Sequence, residues 1–230
     1  MRQSINVTRC VTPLLSVIAI AAISGCTSSS SGGSASSGAD MQVAQGSQAQ
    51  VLLGRKLVIN HDCAGCHGGS NPADKGWLAG VTSPQQEFYI GPCSVVNPTA
   101  KPCFVTRPRN LTPDNATGLG RFSERQIFNA LRFGLRPEET PDVEITSMTP
   151  GQGNFPVNPR YLAVPMPWIA WRHMSDEELW AIAAYLHRGL KPVSNKVLES
   201  EGPPDFWASE YTVAKIGPYP SPAYPTANEK

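Results

Sequence analysis

The sequence lacks a clear excess of charge of either sign. Its 230 residues carry 19 lysines and arginines against 18 aspartates and glutamates, which gives a formal net charge of +1. Two of the basic residues, Arg2 and Arg9, lie in an N-terminal segment that we expect to be removed, which leaves the mature chain slightly acidic. Proteins that bind nucleic acids normally carry a basic excess. The composition therefore argues against a nucleic-acid partner.

The sequence also lacks an apolar run long enough to cross a bilayer, which takes about 20 residues. Its N-terminal apolar run extends only from Val11 to Ile23, behind the positive charges of Arg2 and Arg9. A short run of this kind after a basic start is typical of a secretory signal peptide. We therefore predict that residues 1–25 are a signal peptide and that the mature protein is exported.

The end of this run, Ile23-Ser24-Gly25-Cys26, resembles the lipobox of bacterial lipoproteins. The resemblance implies cleavage before Cys26 and lipidation of its sulfur, and Thr27 in the next position resembles outer-membrane sorting. The alternative is an ordinary signal peptide that is cleaved nearby, in which case Cys26 has no role in anchoring. We therefore predict that the protein is anchored by lipid to a membrane of a Gram-negative bacterium, either facing the periplasm or in the outer membrane.

No internal repeat is visible, and the chain divides into three mature segments. Residues 26–42 are rich in serine and glycine and predict a flexible tether. Residues 43–192 carry the apolar patterns of one domain, and residues 193–230 form a proline-rich tail. Glycine and proline number 20 and 22, which is high for a helical protein, so within a mainly α fold we expect long loops around few helices.

Three helices are predicted from local patterns. Apolar residues between Ser47 and Asn60 suit an amphipathic helix that leads into Cys63. The other two helices are marked by capping-box patterns. Ser123 is followed three positions later by Gln126, and Ser175 is followed three positions later by Glu178.

The chemistry-bearing motif is Cys63-Ala64-Gly65-Cys66-His67, the attachment pattern of c-type haem. Two thiols on one helical turn can form thioethers with the porphyrin vinyl groups, and the next histidine can then bind the iron. Zinc would need a second ligand pair, and a redox dithiol would need a βαβ pattern around it. We therefore predict one covalent haem c, with His67 as the proximal ligand of the haem iron.

The second axial ligand must come from elsewhere in the chain. Met166 stands between Pro165 and Pro167, whose fixed φ angles would hold its thioether in place. Met148, a histidine or an open site are the alternatives, and Met174 is explained as a hydrophobic staple onto Leu179. We predict that Met166 is the distal ligand.

The chain resembles class I cytochromes c, and more narrowly the cytochrome domains found with bacterial periplasmic dehydrogenases. The resemblance covers about residues 47–190 and is carried by residues 62–67, by Asn110-Leu111-Thr112-Pro113-Asp114 with Thr117-Gly118-Leu119-Gly120, and by Met166-Pro167-Trp168 with residues 174–179. It implies a helical fold around the haem and assigns the distal position to Met166. It also implies a dehydrogenase or respiratory complex as partner.

Three further features accompany the motif. Cys93 and Cys103 lie in a proline-rich loop and are most simply a disulfide in an oxidising compartment.

Residues 107–136 hold six arginines, whereas residues 138–144 and 199–210 each hold four acids and no base. An arginine there could neutralise a haem propionate, or the charges could be solvated surface. Aromatic residues suited to wall a haem pocket, or to fill an ordinary core, are Trp77, Phe88, Phe104, Trp168 and Tyr185.

The sequence thus predicts an electron carrier rather than an enzyme, since no nucleophile or proton-transfer group is evident. Such a protein would pass single electrons between a periplasmic donor and a respiratory acceptor. The alternatives are a haem enzyme or gas sensor with a displaceable distal ligand, and a tethered electron-accepting subunit of a dehydrogenase.

Overall fold

A computed structural model describes residues 38–81, 86–203, 205–220, 222–223 and 225–230. The predicted signal peptide, Cys26 and most of the tether lie outside these residues. Within the described part, no helix combines the length and the apolar character that a membrane crossing requires.

Helices supply most of the regular structure, and long irregular segments connect them. The α-helices are α1 (Gly38–Asn60), α2 (Cys63–His67), α3 (Glu124–Phe133), α4 (Trp168–Trp171), α5 (Asp176–Ala184) and α6 (Val213–Ile216). A π-helical turn, Tyr185–Gly189, continues α5, and short 3-10 turns cover Pro137–Glu139 and Ala208–Tyr211. Helix α1 begins at Gly38, before the expected start at Ser47, so part of the predicted tether is helical.

Both predicted capping boxes are confirmed. The hydroxyl of Ser123 accepts the backbone N–H of Gln126, whose side chain in turn accepts the backbone N–H of Ser123. Ser175 and Glu178 make the same exchange at the start of α5. These reciprocal bonds satisfy N–H groups that have no partner inside the helix, which fixes where each helix begins.

A two-stranded antiparallel sheet lies between α2 and α3. Strand β1 (Phe88–Ile90) pairs with β2 (Phe104–Thr106), with Tyr89 opposite Val105. The connection beyond Ile90 and before Phe104 contains Cys93 and Cys103, which are joined as a disulfide in the structure with their Cα atoms 5.4 Å apart.

Two apolar clusters form the core. The first joins α1, α2, α3 and α5 and includes Leu57, Val58, Trp77, Leu131, Leu179 and Tyr185. The second lies around the sheet and α4 and includes Ile90, Phe104, Phe133, Phe155, Trp168, Trp207 and Tyr211. Helices α1 and α5 pack closely where Gly54 meets the backbone of Ala181.

The proline-rich tail packs onto the domain and contributes to its core. Val197, Trp207 and Tyr211 are buried. Acidic tail residues pair with arginines of the run at residues 107–136: Glu199 with Arg109, Glu201 with Arg107, and Asp205 with Arg136. Asp205 also pairs with Arg160, which lies outside that run. Much of the charge imbalance along the chain is therefore resolved by internal ion pairs.

Candidate functional site

The Cys-x-x-Cys-His motif forms one short helical turn at the end of α1. Asp62 follows α1 and adopts the left-handed conformation, with φ of 50°. Helix α2 then extends from Cys63 to His67. Neither Cys63 nor Cys66 forms a disulfide; Cys63 is half-buried and Cys66 is exposed. Both thiols of the motif are therefore available for covalent chemistry from one turn of helix.

The thiol of Cys63 differs from that of a reactive dithiol. Burial, reinforced by the carboxylate of Asp62, raises the pKa of Cys63 to about 12. Redox and metal-binding cysteines react as thiolates and have a lowered pKa. A neutral, half-buried Cys63 argues against a thioredoxin-like role for this pair.

The imidazole of His67 is held by one strong hydrogen bond. Its Nδ1 lies 2.7 Å from the carbonyl oxygen of Arg109, 42 residues along the chain. A carbonyl oxygen can only accept, so Nδ1 carries the proton and Nε2 is left with its lone pair. Burial lowers the pKa of His67, which also favours the neutral ring. A neutral imidazole with Nδ1–H bonded to a carbonyl is the arrangement in which histidine binds a metal through Nε2.

The backbone after the motif folds back over it through two glycines. The N–H of Gly80 donates to the carbonyl oxygen of His67 at 2.7 Å, and that of Leu78 donates to Gly68 at 2.8 Å. Gly68 and Gly80 have φ of 91° and 83°, a region that glycine adopts without strain. A Cβ on Gly68 would lie 2.7 Å from the oxygen of Gly80, so the two segments need glycine to approach this closely.

Met166 packs against the same apolar cluster as the motif. It packs, partly buried, against the first apolar cluster, as do Cys63 and Met174. Its N–H donates to Ala163, and its carbonyl accepts from Trp168, so the Pro-Met-Pro segment is a hydrogen-bonded turn. Met148 packs instead against the second cluster. Of the methionines weighed from sequence, this placement favours Met166 over Met148 as a partner for the motif.

The aromatic residues expected around a haem divide between the two clusters. Trp77 and Tyr185 belong to the first, where the indole N–H of Trp77 donates to the hydroxyl of Tyr185 at 3.0 Å. Phe104 and Trp168 belong to the second cluster. Phe88 lies half-buried in β1. Trp77 and Tyr185 are therefore the two that lie with the motif.

The donor set fits haem c better than a bare metal ion. Two free thiols on one turn, a neutral imidazole with a free Nε2 and a thioether in the same cluster are the groups that haem c uses. Among the described residues, no group of three or more histidines, cysteines, aspartates and glutamates is placed to hold a metal ion. The residues that would hold the haem are Cys63, Cys66, His67 and Met166.

Sequence reasoning missed Arg109 and Asn110 as residues of the site. Asn110 is 1% exposed, and its side-chain oxygen accepts from both the N–H and the hydroxyl of Thr112. Asn110 begins the Asn-Leu-Thr-Pro segment and Arg109 belongs to the arginine run, so both were visible in the sequence. The contact between Arg109 and His67 was not, because the two are separated by 42 residues.

Comparison with known proteins gives relatives of one kind, although no protein-family model matches the chain. The fructose dehydrogenase cytochrome subunit of Gluconobacter japonicus is 27% identical over 146 residues, which is 62% of this chain and 22% of the relative. The gluconate 2-dehydrogenase cytochrome c subunit of Pantoea cypripedii is 26% identical over 69% of this chain and 27% of its own length. The cytochrome c subunit of a quinone alcohol dehydrogenase from Gluconacetobacter polyoxogenes is 24% identical over 66% of this chain and 25% of its own length.

This chain spans about a quarter of the length of these curated relatives. At this level of identity they support a relationship to cytochrome c proteins and an electron-transfer role. The chain is similar to one segment of the cytochrome c subunits of dehydrogenases.

Proposed function

We propose that the protein is a lipid-anchored electron carrier with one covalent haem c. Cys63 and Cys66 form the thioethers, His67 is the proximal ligand and Met166 is the distal ligand. The haem supplies a one-electron couple between ferric and ferrous iron. The chain's own residues hold that group, fix its axial ligands and limit the access of water.

One observation carries the proposal: the bond from Nδ1 of His67 to the carbonyl oxygen of Arg109, directly after two free cysteines. It sets the tautomer in which Nε2 is a ligand, and it orients the ring from a distant part of the chain. A histidine that only followed a dithiol or disulfide motif would need no such constraint.

The partner we propose is a dehydrogenase on the donor side and a respiratory protein on the acceptor side. The relatives are named as cytochrome subunits of fructose, gluconate and alcohol dehydrogenases. The match to them extends over 146 to 159 residues, which is about a quarter of their length. A small carrier of this kind would dock over an interface below about 1,200 Å² and separate quickly.

Optical spectra of the purified protein test the carrier function. A carrier should be low-spin and six-coordinate in both oxidation states, with the methionine–iron charge-transfer band in the ferric form. It should also accept electrons from a periplasmic dehydrogenase without remaining bound to it, whereas stable co-purification would favour a tethered electron-accepting subunit. A five-coordinate ferrous spectrum that binds carbon monoxide without any substitution would instead favour a peroxidase-like enzyme or a gas sensor.

The lipid anchor is tested separately through Cys26. A Cys26→Ala precursor should fail to incorporate labelled fatty acid and should leave the detergent phase, because the acyl chains provide the membrane affinity. Wild-type protein is the positive control. Unchanged labelling of the variant would contradict the anchor at this cysteine and leave the haem proposal unaffected.

A further inference from the structure

The acceptor of the His67 hydrogen bond is a main-chain atom, so its position depends on what holds the backbone at Arg109. The side chain of Arg109 reaches into the C-terminal tail. Its guanidinium donates to the carbonyl oxygens of Val197 and Leu198, each at 3.3 Å, and to the carboxylate of Glu199 at 2.6 Å. One side of the acceptor is thus attached to the tail.

The next residue, Asn110, attaches the other side. Its buried amide donates to the carbonyl oxygen of Val193 at 2.7 Å and to the hydroxyl of Thr117 at 3.0 Å. The N–H of Val193 donates to the hydroxyl of Thr112 at 3.1 Å. The side chains on both sides of the Arg109 carbonyl, those of Arg109 and Asn110, are therefore bonded to residues 193–199, a segment we call the strap.

The strap also holds the backbone that supports His67 from the other direction. The side-chain amide of Asn195 donates to the carbonyl oxygen of Ala79 at 2.7 Å, next to Gly80, whose N–H donates to His67. A Cβ on Gly80 would lie 2.7 Å from both the N of Asn110 and Cγ2 of Val197. The supporting loop, the acceptor segment and the strap are thus in direct contact, with no room for a further atom.

We infer that the strap is the positioning element of the proximal histidine and helps to set the reduction potential of the haem. This inference rests on the proposed function. The bond from His67 Nδ1 to the carbonyl raises the electron density on the ring, and a more electron-rich imidazole favours ferric iron. A looser Arg109 carbonyl makes that bond weaker, so the potential rises.

The ion pair between Arg109 and Glu199 contributes too little stability to serve mainly as an attachment of the tail. The side chains of Arg109 and Glu199 are 42% and 80% exposed, and an ion pair this exposed to solvent contributes little to stability. Attachment is served elsewhere by partly buried pairs, such as Asp205, 14% exposed, with Arg136 and Arg160. The Arg109 pair adds little to global stability, and its distinguishing feature is its position beside the acceptor.

Arg109→Ala is the test, because it removes the attachment and keeps the carbonyl. Arg160→Ala is the matched control: Arg160 is 41% exposed and also binds the tail, through Asp205, but has no bond to the strap or to the His67 acceptor. Glu199→Gln is a milder second variant that keeps the size of the side chain. The readouts are the midpoint potential and the solvent exchange rate of the His67 Nδ1 proton, measured by NMR in the ferrous state.

Arg109→Ala should move the midpoint potential to a more positive value and accelerate exchange of the Nδ1 proton, and Glu199→Gln should do the same to a smaller extent. Arg160→Ala should change neither. If the wild type and all the variants carry covalent haem and have equal midpoint potentials, the role of the strap is overturned, whereas the proposed function stands. Equal shifts in Arg109→Ala and Arg160→Ala would also overturn the role of the strap, since the tail would then act only through general stability. Absence of covalent haem from the wild type would overturn the proposed function as well.

Discussion

At the scale of single residues, the site depends on a few atoms whose chemistry is fixed by their neighbours. Desolvation lowers the pKa of His67 and favours the neutral ring, whereas the bond to the Arg109 carbonyl acts in the opposite direction on the pKa and fixes the proton on Nδ1. Cys63 is neutral because burial raises its pKa. Met166 lies in a hydrogen-bonded turn, directly between Pro165 and Pro167. The neutral imidazole leaves Nε2 able to bind a metal, and the turn restrains the thioether of Met166.

Met166→Ala tests the distal ligand. A thioether favours ferrous iron, so its loss should lower the reduction potential, remove the methionine charge-transfer band and open a site that binds carbon monoxide. Covalent haem should remain. Optical titration with carbon monoxide and potentiometry measure these changes. Met148→Ala is the control and should leave the spectrum and the potential unchanged; the reverse result would place the ligand in the other loop.

At the scale of elements, the contact between α1 and α5 should decide stability. A Cβ on Gly54 would overlap the carbonyl oxygen of Ala181 and approach Cβ of Tyr185 to 2.8 Å. Alanine favours a helix over glycine by about 1 kcal/mol, whereas overpacking costs about 1–3 kcal/mol and forces the helices apart. Gly54→Ala should therefore lower the free energy of unfolding in spite of its better helix propensity.

Urea denaturation of the holoprotein measures this effect. Gly76→Ala is the matched control, because a Cβ there meets nothing within 4 Å and the residue does not need a positive φ. Gly76→Ala should be neutral or slightly stabilising. Equal midpoints for the two variants would show that α1 and α5 do not pack as closely as described.

Local elements were predictable from the sequence, and long-range pairings were not. The starts of α3 and α5 follow from capping boxes that involve residues three positions apart. The start of α1 at Gly38 was missed, because serine and glycine next to it predict a tether. The disulfide of Cys93 and Cys103 is formed in the structure and remains to be tested by counting thiols before and after reduction.

The same division applies to the site. The covalent motif is contiguous and could be read directly, whereas the acceptor of His67 and the strap come from 42 residues away and from the tail. The run of arginines and the acidic tail were visible as separate charges. Which of them pair depends on the path of the chain, which composition does not specify.

At the scale of the whole molecule, the haem motif packs against the helical core through Cys63 and Ala64, and the tail is connected to its histidine through Arg109. The tail has no free-standing role in this arrangement, because it contributes Trp207 and Tyr211 to the second cluster and pairs its acids with four arginines. The chain matches about a quarter of the length of its curated relatives. The molecule is thus built around a single proposed redox centre.

Haem staining after denaturing electrophoresis tests the central claim most directly. The stain reports haem that remains covalently attached when the fold is lost, so it depends on the thioethers and not on packing. Wild-type protein should stain, and a variant with Cys63→Ala and Cys66→Ala should not. A variant with Cys93→Ala and Cys103→Ala is the matched control, since it also loses two cysteines, and it should still stain. A stain that persists without Cys63 and Cys66, or its absence from the wild type, would contradict the account.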